Sequence, residues 1–174
     1  AGLSRNRLVK LKADGTIDSA FTCNANGAVN NIVALPSGGF LVAGDFTTIN
    51  GTTRNRLARI AADGTLDATF APSLNARVKA IAVQSDGRIV AGGSFTNVNG
   101  VARSCLVRLN TDGTTDATFT ATSGDHPRVI VALSDDKLLI GGHWYSDKSP
   151  VPAVLLDGRY LGAVIAGAAC AVGF

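Results

Sequence analysis

The chain has 174 residues, enough for one domain with a substantial core and short for two. Hydrophobic residues make up 46% and charged residues 17%, with a mean hydropathy of +0.23, which excludes a disordered chain. The net charge of +3 comes from Lys and Arg spread along the chain, without a basic stripe or aromatic platforms, so no nucleic-acid partner is expected.

Twenty glycines and abundant Val, Ile, Thr and Ala favour strands and turns. In chain order, RNRLVKLKADGTIDSAF (5–21) reads as a short strand, an Asp-Gly turn and a second short strand. VNNIVALPSGGFLVAGDFTTING (29–51) follows as two longer strands closed by an Asn-Gly turn. RNRLARIAADGTLDATF (54–70) then repeats the first segment without a gap, and VKAIAVQSDGRIVAGGSFTNVNG (78–100) repeats the second. RSCLVRLNTDGTTDATF (103–119) and VIVALSDDKLLIGGHW (129–144) repeat them again. Arg5, Arg54 and Arg103 recur at a 49-residue spacing, as do Asp14, Asp63 and Asp112, and Phe21, Phe70 and Phe119.

Four short strands in each copy predict an all-β, propeller-like array of about three 49-residue four-stranded repeats plus an N-terminal half-repeat. The predicted boundaries are a half-blade at 1–21 and blades at 29–70, 78–119 and 129–174, within a single domain over 1–174. One small sheet cannot bury both its faces, so the copies must stack on one another.

The repeated wording over roughly residues 3–145, densest at 54–119, resembles the delta-60 repeat family of bacterial and phage proteins. That resemblance implies a propeller-like fold. It also implies large bacterial surface or secreted proteins and phage tail-associated proteins as hosts, and it implies no activity.

Candidate sites are few. Each D-G-T-x-D copy pairs two aspartates, Asp14 with Asp18, Asp63 with Asp67 and Asp112 with Asp116. Such spacing suits calcium, but it suits a turn-setting Asp followed by a capping Asp better. The recurring arginines read as structural donors to loop carbonyls or to an Asp of the next blade, with anionic-ligand binding as the alternative. The recurring phenylalanines, with Phe46 and Phe95, read as core. Cys23, Cys105 and Cys170 share no repeat position and read as small apolar fillers. His126, in SGDHPR, reads as a solvated turn residue rather than a general base. No catalytic or metal motif is present, and no catalytic residue, metal or cofactor is expected.

GGHWYSDKSP (141–150) breaks the pattern set by AGDFTTINGT and GGSFTNVNGV. Trp144 takes the place of Phe46 and Phe95, while His143, Tyr145, Asp147 and Lys148 offer a contact surface for a ligand or partner. Divergence of an end repeat explains the same break. The uncharged run at 161–174 is too short to span a bilayer as a helix, and no apolar leader opens the chain.

The expected function is a non-enzymatic structural or binding module. It is placed in a phage virion (tail, fibre or baseplate), joined to itself or other virion proteins through open strand edges and the 161–174 tail. The alternatives are a fragment of a bacterial surface or secreted adhesin that binds cell-surface glycan or protein, and, behind that, a propeller-type enzyme.

Overall fold

A computed structural model describes residues 6–121, 126–142, 151–154 and 160–164. Every regular element in them is a strand. The first full repeat holds β1 (Val29–Ala34), β2 (Phe40–Gly44), β3 (Thr48–Ile49), β4 (Thr52–Thr53) and β5 (Leu57–Ile60). The second holds β6 (Val78–Val83), β7 (Ile89–Gly93), β8 (Asn97–Val98), β9 (Val101–Ala102) and β10 (Leu106–Leu109). Then come β11 (Pro127–Ala132), β12 (Leu138–Gly142), β13 (Val151–Val154) and β14 (Tyr160–Val164). The 49-residue spacing carries through to β11, which opens at Pro127, two residues ahead of Val129.

The sheets are antiparallel and small. β1-β2-β5 and β6-β7-β10 form three-stranded sheets with the middle-numbered strand in the centre, and β11-β12 and β13-β14 form pairs. β3-β4 and β8-β9 are tight ribbons closed by Asn-Gly. Asn50 and Gly51 both adopt positive φ (49° and 77°), as do Asn99 and Gly100 (53° and 82°). That is the backbone a two-residue type I′ hairpin demands, and Asn-Gly supplies it most cheaply.

The segment expected as a fourth strand joins each sheet through a single bridge, Ile60 with Leu66 and Leu109 with Thr115. The reason is the second aspartate of D-G-T-x-D. Its carboxylate takes the N–H two residues on, Asp67 from Thr69 and Asp116 from Thr118, and so bends the chain before a ladder can extend.

Successive sheets pack face to face. Leu41, Leu57 and Phe70 of the first meet Ile81, Ile89 and Val107 of the second in one core cluster. The other face of the second sheet presents Val90, Leu106 and Phe119 to Ile130 and Leu138 of β11-β12. On the opposite side of the first sheet, Leu8 and Phe21 pack with Val42, Phe46 and Ala58. β6 lies between β1 and β11, so the first strand of each unit neighbours the first strand of the next. This is blade stacking: each greasy face is buried by the following copy.

Candidate functional site

The recurring polar residues work within the repeats. Asp14, Asp63 and Asp112 each accept the N–H and the hydroxyl of the threonine two residues on, at 2.6–2.9 Å. Those bonds hold the three carboxyls below their ordinary value. The second aspartates meet a cation that the sequence reading passed over. Lys10 lies 3.3 Å from Asp18, Arg59 2.7 Å from Asp67, and Arg108 2.8 Å from Asp116. The same two guanidinium groups lie over Phe70 and Phe119, 4.6 and 4.8 Å from the ring centroids. The 49-residue spacing of Lys10, Arg59 and Arg108, eight residues before each partner, was the available signal.

Arg54 does what a structural arginine should, donating to the carbonyls of Thr53, Asp67 and Ala68 at 2.8–3.2 Å. Asn26 and Asn75 each receive two backbone N–H groups from the following ribbon. Asn50 and Asn99 receive the N–H of Asn24 and Ser73 from the segment before. These asparagines tie one repeat to the next.

His126 is half-buried rather than a solvated turn residue. Its Nδ1 lies 3.3 Å from the Gly93 carbonyl and 3.3 Å from Cys105 Sγ. With its hydrogen on Nδ1 the ring donates to the Gly93 carbonyl, which can only accept; in the other tautomer Nδ1 accepts from the Cys105 thiol. Cys105, at φ 62°, occupies the repeat position of Arg7 (65°) and Arg56 (73°). Those arginines reach carbonyls themselves, Arg7 that of Ala25 and Arg56 that of Asp45. In the third copy the short Cys105 stands there, and the His126 ring lies against it and the Gly93 carbonyl. Cys23 is buried, and burial pushes its thiol up to about 11, away from reactivity.

His143, Trp144, Tyr145, Asp147 and Lys148 lie outside the described residues, as do Arg5 and Cys170. Among the described residues, no group of three or more His, Cys, Asp or Glu is placed to hold a metal ion. Nor is any helix there long and apolar enough to cross a membrane.

A few buried polar atoms find no partner, among them Asn31 Oδ1, Arg54 Nε and Gln84 Oε1; the exposed chemistry left unanswered among the described residues is mostly apolar. Leu11 is 56% exposed, whereas its repeat equivalents Ile60 and Leu109 are at 1% and 0%. Ile32 is 50% exposed against 2% for Ile81 and 7% for Ile130. Leu139 is 53% exposed against 0% for Val90. Val9, beside Leu11, and Val129 and Val131, beside Leu139, are similarly bare. These side chains sit on the two outward faces of the stack, one at each end. Patches of this kind mark a contact surface.

The sequence matches the family described as a β-propeller domain of unknown function (DUF5122) over residues 1–21, 36–70 and 84–119, more than half of the chain. No curated protein matches it.

Proposed function

The chain belongs to the DUF5122 β-propeller family, and from that premise we propose that it is a non-enzymatic structural and binding module. The observation that carries this reading is the contrast between its polar and apolar groups. The recurring Asp, Arg and Asn side chains serve neighbouring backbone, while apolar blade faces stand open at both ends of the stack. Among the described residues this leaves surfaces for assembly and no converging set of acid, base and nucleophile.

The finer proposal is a repeat of the delta-60 kind serving as a phage virion component, in tail, fibre or baseplate, held by contacts with itself or other virion proteins. Immunogold labelling of purified particles tests it. Label confined to the tail structure is the expected result; particles that carry none of the chain would contradict it. The aromatic and charged run Trp144, Tyr145, Asp147 and Lys148 favours one second reading, a bacterial surface adhesin that stacks on glycan. Glycan-array binding lost on Trp144→Ala would support that alternative.

A further inference from the structure

The first strand of each blade, β1, β6 and β11, leaves its ladder at the same place. Val29 pairs with Gly44 and Asn31 with Ala43, so Asn30 between them faces no partner. Lys79 is passed over in the same way between Val78 and Ala80, and Arg128 between Pro127 and Val129. These three bulge residues stand at the 49-residue spacing. A bulge gives up pairing to re-aim one side chain, and bulges recur where that side chain has a task.

Asn30 shows where the side chain goes. Its Nδ2 donates to the Val78 carbonyl at 2.9 Å, so the bulge of one blade reaches the bulge of the next. β6 and β11 lie beside each other as β1 and β6 do, and the same step sets Lys79 towards the bulge that carries Arg128. Neither cation makes a hydrogen bond or ion pair. Every other described arginine donates to a carbonyl or an aspartate.

The joint between these blades also lacks the acid of the joint before it. Asp45 holds Arg77 at 2.7 Å where the first two blades meet. One repeat on, the same two positions are Ser94 and His126, and neither supplies a negative charge. Arg128 is exposed and Lys79 half-buried, so both are within reach of a solute. Like charges on neighbouring strands repel each other unless an anion joins them.

We propose that Lys79 and Arg128 form a binding site for a phosphoryl group, the dianionic end of a phosphate monoester. Two cations match two negative charges, which a single carboxylate does not supply. The arginine fork takes two oxygens at once, and the lysine adds a point charge and a donor for a third. Asn30 is the same bulge without the charge; bonded to backbone, it ends the row and adds nothing to the site. The site rests on the bulges and not on what the apolar faces meet.

Amide NMR titration of the isotopically labelled 174-residue chain tests it, with inorganic phosphate, phenyl phosphate and acetate as separate probes. A phosphate monoester is dianionic above about pH 6, so the titration is run on the alkaline side of that value. Saturable shifts centred on Lys79 and Arg128 are expected with phosphate probes and not with acetate. Saturation by inorganic phosphate would identify the free ion as sufficient, and saturation by phenyl phosphate alone would identify a phosphoryl group carried on a larger molecule; either supports the site. Lys79→Gln and Arg128→Gln should each weaken binding roughly tenfold, and the double variant should abolish it. Arg128→Lys keeps the charge but loses the fork, and should fall between wild type and Arg128→Gln. Lys12→Gln, which removes a charge of the same sign at the first Asp-Gly turn, should bind as the wild type does. No saturable shift with either phosphate probe, acetate bound as tightly as phosphate, affinity unchanged in the double variant, or an equal loss in Lys12→Gln overturns the inference.

Discussion

Asp116 does two jobs at once. One carboxylate oxygen takes the Thr118 N–H at 2.9 Å, and the other holds the Arg108 guanidinium at 2.8 Å, with both side chains under one-tenth exposed. Asp18 and Lys10 are the same pair in the first copy, but more exposed and 3.3 Å apart. Removing one member of a buried pair strands a charge, so Asp116→Ala should cost about 3 kcal/mol in urea unfolding. Asp18→Ala should cost much less. The pH dependence follows from the same bonds. Burial pushes the Asp116 carboxyl up, but Thr118 and Arg108 outweigh it and leave it below the ordinary 3.8. The Thr69 hydroxyl, aided by Arg59, holds Asp67 lower still. A depressed folded-state pKa stabilises above the ordinary value and is lost as pH falls below it. Acid titration should therefore show stability declining below about pH 4, less steeply in Asp116→Ala. At this scale the sequence foretold the turn-and-cap role of each D-G-T-x-D, because that chemistry is local. It did not foretell the Lys10, Arg59 and Arg108 column, nor the burial of His126, because both depend on what another strand brings alongside.

Strands and turns were legible from Asp-Gly, Asn-Gly and the alternation in VKAIAVQ, since each is set by neighbours within a few residues. Two element-level features were not. The fourth segment bends after Thr115 instead of extending, because Asp116 captures the Thr118 N–H. The first strand of each blade carries a bulge, with register shifts at Val29/Asn31, Val78/Ala80 and Pro127/Val129. That bulge explains a glycine. A Cβ on Gly93 would stand 2.1 Å from the Arg77 carbonyl oxygen, and one on Gly44 2.0 Å from that of Ala28. Backbone cannot step aside as a flexible side chain can, so Gly93→Ala should lower stability by about 3 kcal/mol. Gly51→Ala is the control. Its Cβ would meet nothing within 4 Å, and only the positive φ of 77° is strained, at about 1 kcal/mol. Thermal or urea unfolding of both variants gives the comparison.

Across the whole molecule, the 49-residue period carried most of the architecture. Repetition demands that copies shield one another, and the Leu57–Ile81 and Leu106–Ile130 clusters are that shielding. Which surfaces remain bare was not legible. Leu11 and Leu109 look alike in sequence, and only the arrangement of sheets shows that one is covered and the other open. Urea unfolding of Leu106→Ala, a side chain buried between the second sheet and β11-β12, tests that shielding most directly. A loss of about 3 kcal/mol is the predicted result. Stability equal to that of the wild type would contradict the stacked blades.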